Sequence, residues 1–404
     1  MPEYHPATTT RRQFLRWGSR SFATFLAGAG AVPFSSVAAT AEPLFADLSQ
    51  LGELMPPDSN GLRLPHGFRS RIIAHSNQRV LKTDNTATDY LWHNAPDGGA
   101  CFATDDGGWI YVSNSEIKII DGGGGVGAIR FNAAGDIVDA YSLLTGTDNN
   151  CAGGKTPWQS WLSCEEVDRG QVYECNPAKK SEGTVRPALG RFKHEAVAVD
   201  PDASHLYLTE DEMDGCFYRF VPAQALPNLD SGTLQVAEVI QVGQRMRIRW
   251  HDVPDPAATT IPTRSQIAEA TRFNGGEGIA WTDGLVYFTT KGDNRVWRLD
   301  TRNNDISVLY DAATAATPHL SGVDNVTITA SGDVLVAEDG GDMQIVLLSA
   351  NGAVIPLVQI TGQDDSEICG PAFDPTFQRF YFSSQTGPLN RDDDGITYEI
   401  SRIS

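Results

Sequence analysis

Residues 193–212 read KHEAVAVDPDASHLYLTEDE. Two short apolar runs, AVAV and LYLT, flank a Pro-Asp turn. Each run has the length of a strand and is too short for a helix, so the stretch predicts an antiparallel pair. Acidic residues stand at both open ends, Glu195 on one side and Glu210-Asp211-Glu212 on the other.

The same unit recurs along the chain. GGACFAT (98–104), NNCAGGK (149–155), GGEGIAW (275–281), DNVTIT (324–329) and ICGPAFD (368–374) match its first half. WIYVSN (109–114), SWLSCEE (160–166), VYFTTKG (286–292), VLVAEDG (334–340) and FYFSSQT (380–386) match its second. Gly99 to Ser113, Glu277 to Lys291, Asp324 to Glu338 and Gly370 to Ser384 are each fourteen residues apart, and Glu195 to Glu210 is fifteen. A third strand often follows, as in GAIRF, CFYRFV and QIVLL. Six repeats of three or four short antiparallel strands predict an all-β fold, a six-bladed β-propeller. A β-sandwich does not account for so regular a repeat in a chain this long. The interval between the third and fourth repeats is longer, and residues 222–272 read as an insertion with a small helix. The helix candidates are 43–52 and 264–272. FRSRIIAHS (68–76) is placed to supply an outer strand that closes the ring against the C-terminal blade.

In a propeller the start of a blade's first strand and the end of its second lie at one face of the disc. The first-strand starts carry Asp97, Asn150, His194-Glu195, Glu277, Asp324-Asn325 and Cys369. The second-strand ends carry Asn114, Cys164-Glu165-Glu166, Glu210-Asp211-Glu212, Lys291, Glu338-Asp339 and Gln385. Acids from several blades therefore converge on one mouth of the channel. So many like charges need protons or cations among them, which points to bound metal ions. Carboxylate and amide oxygens suit calcium, whereas a thiol such as Cys164 points to a second, softer ion such as iron. No HExxH, Walker A loop or G-x-S-x-G elbow is present.

The N-terminus carries its own signal. Thr10-Arg11-Arg12-Gln13-Phe14-Leu15 opens an apolar stretch that ends at Ala39-Thr40-Ala41, the pattern of a twin-arginine export signal with its cleavage site. Residues 1–41 then form the signal peptide and 42–404 one propeller domain. The signal holds four Arg and one Glu, so its removal takes the net charge from −20 to −23. So acidic a surface argues against nucleic-acid binding. No segment is suited to a membrane anchor. The six cysteines form no CxxC framework.

Several segments resemble the PhoX-type alkaline phosphatases: TPWQSWLSCEE, GRFKHEAVAVDP, YLTEDEMDGCFYRFVP, GGEGIAW, DNVTITASGDVLVAED and ICGPAFDP, in that order. The resemblance runs from about residue 60 to the end and is nearest to shorter members. It implies a six-bladed propeller with ferric iron (Fe3+) and calcium (Ca2+) at the channel mouth. It also implies hydrolysis of phosphate monoesters in the periplasm or outside the cell. On the resemblance, the iron-binding cysteine falls on Cys164, with Glu165 beside it. The acidic ligands fall among Glu195, Glu210, Glu277, Asp324 and Glu338. Lys291, Arg272, Arg191 and Lys193 are candidates for the cation that meets the phosphate. The expected partners are a small phosphorylated substrate and the twin-arginine translocase, and the expected state is a monomer. A calcium-dependent lactonase or esterase, and a non-catalytic calcium-stabilised scaffold, are the competing readings. Neither needs a thiolate ligand.

Overall fold

The computed structural model describes residues 42–46, 51–180, 183–315 and 318–403. The twin-arginine segment lies outside them. The described structure is all-β and propeller-like. Each of the first five blades contains four antiparallel strands in chain order.

The first blade consists of Pro96–Ala103, Trp109–Ser115, Gly124–Phe131 and Ile137–Thr147. The second consists of Asn150–Lys155, Trp161–Glu165, Val172–Cys175 and Gly183–Val185. His194–Asp200, His205–Glu210, Phe217–Pro222 and Gly232–Val242 form the third. Gly276–Thr282, Leu285–Thr290, Arg295–Asp300 and Asp305–Asp311 form the fourth. The fifth is built from Val323–Ile328, Val334–Glu338, Gln344–Leu348 and Val354–Ile360. The sixth combines Ile368–Phe373, Arg379–Ser384 and Ile396–Arg402 with Phe68–His75 from the other end of the chain. Phe68–His75 pairs with Ile396–Arg402, from Phe68 opposite Arg402 to His75 opposite Ile396. The ring is thus closed by the strand expected to close it.

The six first strands pack against one another in cyclic order, that of the sixth blade returning to that of the first. Six apolar clusters then fill the wedges between neighbouring blades. This explains the second strands. Trp109–Ser115 and Val334–Glu338 are buried along their whole length because both faces meet another blade, so their leading segments, WIYV and VLVA, are continuously apolar rather than alternating.

The insertion departs from expectation. Residues 222–272 contain no α-helix. A further strand, Arg245–Asp252, pairs with Gly232–Val242 and then with the last strand of the fourth blade, at Met246–Ile306 and Arg247–Asp305. Only Thr263–Ser265 forms a 3-10 turn. The helical pattern over 264–272 is overridden by tertiary hydrogen bonds. Arg264 reaches Glu210, the Gln266 side chain binds the Asp255 backbone, and Thr271 bonds both Ala237 and Val239. Of the other helix candidate, 43–52, residues 47–50 lie outside the described structure, and Leu44 and Phe45 form a turn buried against the sixth blade.

Candidate metal centre

Every first strand carries a β-bulge in its first turn of ladder. His194 faces Glu210, but Val197 faces Leu208, so three residues oppose two. Equivalent slips occur at Pro96/Gly99, Gly276/Ile279, Val323/Val326 and Cys369/Ala372, and opposite Ser163/Glu165 in the second blade. A bulge re-aims the side chain beside it. Here the residues involved are Asp97, Cys151, Glu195, Glu277 and Asp324, all buried, with Gly370 at the position of the sixth blade and Cys369 just before it.

Neighbouring first strands approach too closely for ordinary side chains just after this tier. A Cβ on Gly98 would sit 2.5 Å from the Ala152 Cα, and one on Gly278 would sit 2.6 Å from the Asn325 Cα. Second-strand side chains lock the tier across blade boundaries. Asn114 Nδ2 donates to the Cys151 carbonyl at 3.0 Å, Thr209 Oγ1 to that of Glu277 at 2.5 Å, and Thr289 Oγ1 to that of Asp324 at 2.5 Å.

A second tier comes from the residue that follows each second strand: Glu116, Glu166, Asp211, Lys291, Asp339 and Gln385. Glu367, just before the sixth blade's first strand, joins them. The two tiers are linked. Asp97, Glu116 and Cys151 bring ligand atoms within 4.8 Å of one another, and so do Cys151, Glu166 and Glu195. The same holds for Glu195, Glu277 and Asp324, for Asp324, Asp339 and Glu367, and for Asp97, Glu367 and Cys369. Cys151 Sγ lies 3.2 Å from Glu195 Oε1 and 3.4 Å from Asp97 Oδ2.

Two lysines offset part of this charge. Lys193 Nζ lies 2.9 Å from Glu166 and 2.7 Å from Asp211. Lys291 Nζ lies 3.1 Å from Glu277 and 3.0 Å from Asp339. Burial works against both ammonium charges, but the surrounding carboxylates prevail and hold their pKa above the usual lysine value. Gln385 donates to Asp97 and Glu116 at 2.9 and 2.6 Å. The remaining excess shows in the acids themselves. Burial, and then neighbouring carboxylates, raise Asp97, Glu195 and Glu367 well above the usual carboxylate range. Burial and Asp324 raise Glu277 similarly, and burial raises Asp324 to about 7. Glu195 Oε2 is buried without a hydrogen-bond partner. Two unit charges about 4 Å apart repel by about 4 kcal/mol at an effective dielectric near 20, so cations among these oxygens are the stabilising arrangement. The donor set therefore fits metal ions: several carboxylates for hard ions, and for a softer one two thiols, Cys151 beside Asp97 and Glu195 and Cys369 near Asp97 and Glu367.

The centre differs from the expected ligand set. Glu195, Glu277, Asp324 and Lys291 stand within it. Glu165, Glu210 and Glu338 do not, and they share another task. Each accepts the backbone N–H six residues on, from Gln171, Cys216 and Gln344, at 3.1, 3.0 and 2.9 Å. Glu165 and Glu338 also accept the N–H seventeen residues back, from Asp148 and Ser321. These glutamates close the loops around the mouth, and the next residue faces the centre because side chains alternate along a strand.

Cys164 is buried in the apolar wedge between the second and third blades, beside Leu162 and Val172, and burial pushes its thiol up. Of the two thiols within the centre, Cys369 donates to the Pro96 carbonyl at 2.8 Å, whereas Cys151 contacts two of the acids. Arg272 donates to the carbonyls of Asp214 and Arg264 and to Cys216 Sγ, so it pins the insertion rather than facing the mouth. Arg191 lines a separate side cavity. His194 is a buried structural residue, stacked on Phe192 with Nε2 3.1 Å from the Gly190 carbonyl oxygen. Glu166, Asp211 and Asp339 stand among the strand ends read from the sequence, whereas Glu116, Glu367 and Cys151 stand one or two residues outside them. What selects them is the one-residue slip at each bulge, which spacing alone does not reveal.

All six cysteines are unpaired and buried. No helix among the described residues is long and apolar enough to cross a membrane.

The family model for alkaline phosphatase PhoX matches residues 111–174 and 167–387. No curated protein sequence matches the chain. Among solved structures, PhoX of Pseudomonas fluorescens in complex with vanadate, a transition state analogue, superposes with a TM-score of 0.70 at 17% identity, covering 87% of this chain and 98% of that one. A structural-genomics protein of unknown function from Bacteroides thetaiotaomicron gives a TM-score of 0.51 at 11% identity, over 83% of this chain and 76% of its own.

Proposed function

The chain belongs to the PhoX alkaline phosphatase family, and on that premise we propose that it hydrolyses phosphate monoesters with metal ions held between the two tiers. The observation that carries this reading is the double tier itself: nine carboxylates (Asp97, Glu116, Glu166, Glu195, Asp211, Glu277, Asp324, Asp339 and Glu367) and the Cys151 and Cys369 thiols around one mouth, against two lysines. The vanadate in the P. fluorescens PhoX structure, a phosphoryl transition-state analogue, supports a phosphoryl substrate here.

The residues that would hold ions fall into two kinds. Glu277, Asp324, Asp339 and Glu367 offer oxygens only, which suits calcium. Cys151 with Asp97, Glu166 and Glu195 adds a thiolate, which suits iron and disfavours a calcium-only lactonase or scaffold site. Bound there, such ions would neutralise phosphoryl oxygens and activate water as a nucleophile. The chain's own part is to position and to balance charge. The cross-blade bonds from Asn114, Thr209 and Thr289 fix the backbone behind Cys151, Glu277 and Asp324. Lys193 pairs with Glu166 and Asp211, and Lys291 with Glu277 and Asp339, so each lysine offsets part of the acidic charge. Lys291, partly exposed at the mouth, is the cation placed to meet an incoming phosphate.

The N-terminal pattern supports export by the twin-arginine route, which would deliver the folded, metal-loaded chain outside the cytoplasm. Phosphate release from p-nitrophenyl phosphate by protein purified without chelator tests the activity. Turnover abolished by chelator and restored by metal is expected, and turnover indifferent to chelator overturns the metal-dependent reading.

A further inference from the structure

Between the second blade and the insertion lies a cavity of about 200 Å³ whose lining includes Arg169, Arg191, Thr259, Thr263 and Arg264. Three guanidinium groups around one cavity stand out in a chain with a net charge of −20. They are not equally committed. Arg264 pairs with Glu210, Glu212 and Asp214 at 3.1, 3.6 and 3.0 Å. Arg169 donates to the carbonyls of Ala257 and Ala258, neutral groups that leave its charge in place. The Arg191 guanidinium has no hydrogen bond or ion pair among the described residues, although its backbone N–H is fixed to the Pro256 carbonyl at 2.9 Å. The acid it acts on, Glu165, is already held by the N–H groups of Asp148 and Gln171. Asp168 is the one carboxylate in the lining.

The cavity adjoins the metal centre through two short stretches. Arg191 is two residues from Lys193, and Asp168 two residues from Glu166. Two residues span at most about 7 Å of main chain, so Arg191 and Asp168 are tied closely along the chain to Lys193 and Glu166. An uncommitted arginine is suited to bidentate recognition of a carboxylate or phosphate, and threonine hydroxyls can complete the shell.

We propose that this cavity is a second oxyanion subsite, which takes a carboxylate or phosphate at the far end of a phosphoester whose scissile group lies at the mouth. The proposal rests on the phosphatase reading and adds a substrate class to it: short phosphoesters with a second anionic group.

The test compares kcat/KM of the metal-loaded protein for three probes: propyl phosphate, 2-phosphoglycolate and propane-1,3-diol bisphosphate. The wild type is expected to prefer at least one probe with a second anionic group over propyl phosphate, and which one identifies the far group as carboxylate or phosphate. Arg191→Gln is expected to reduce that preference at least tenfold, with Arg191→Lys intermediate. No preference in the wild type, or a preference unchanged in Arg191→Gln, overturns the subsite. If the wild type hydrolyses none of the three, the phosphatase reading fails instead. Calorimetric titration with sulfate then decides the cavity: binding at least tenfold weaker in Arg191→Gln supports an anion site, and equal binding rejects it.

Discussion

Glu210 faces His194 across the first ladder position of the third blade, and the bulge that follows turns Glu195 toward the channel. One slip thus separates a structural glutamate from a metal-facing one, although the two stand fifteen residues apart in a repeat that otherwise aligns them. The same separation holds in the fifth blade, where Glu338 closes a loop and Asp324 faces the centre.

Loop-closing and metal-facing acids should respond differently to removal of charge. Glu338 accepts two backbone N–H groups, and an amide cannot present two acceptor oxygens to them. Glu338→Gln should lower stability by about 1–3 kcal/mol in denaturant unfolding while bound metal stays at wild-type stoichiometry. Glu195→Gln should do the reverse, losing metal and activity. Metal loss in Glu338→Gln would return that residue to the ligand set.

Lys291 bridges Glu277 and Asp339 and is also the mouth's partly exposed cation. Lys291→Met should raise KM for p-nitrophenyl phosphate about tenfold, or about 1.4 kcal/mol, with the metals retained. Unchanged KM would remove the lysine from the substrate site and leave it a charge-balancing role.

The pH response of metal binding follows from the carboxyl groups. Without metal, burial first and neighbouring acids second raise Asp97 and Glu195, and burial raises Asp324 to about 7. The native metal-free protein therefore holds protons that the unfolded chain, with carboxyl pKa values near 4, has released. These groups add stability at low pH and lose it as pH rises from about 4 through 7. Metal must displace the same protons, so its stabilising effect grows over that window. The increase in melting temperature on metal loading should be larger at pH 8 than at pH 5. An increment that shrinks with pH would contradict this assignment of the acids.

Much of the fold is legible in the chain. The fourteen-residue offset is the length of a two-strand hairpin, and hairpins stacked on both faces need continuously apolar second strands. Phe68–His75 could be placed because the last repeat has only three strands of its own. The insertion misleads because residues 264–272 have a helical pattern whose outcome is set by distant partners such as Glu210 and Asp255. The site is legible only to within one residue. Glu195, Glu277 and Asp324 follow from the repeat, whereas Cys151 is hidden beside Asn150, the residue that marks the strand start. Cys164, in the more conspicuous WLSCEE segment, lies below the mouth, in the apolar wedge between the second and third blades. Local sequence does not encode the bulge that decides between them.

The central claim is that Cys151, not Cys164, is the metal-binding thiol of the centre. The most direct test is elemental analysis of wild type, Cys151→Ser and Cys164→Ser, each purified without chelator. The expected result is stoichiometric iron and calcium in wild type and Cys164→Ser, with iron lost from Cys151→Ser. Iron retained in Cys151→Ser, or lost only from Cys164→Ser, would contradict it.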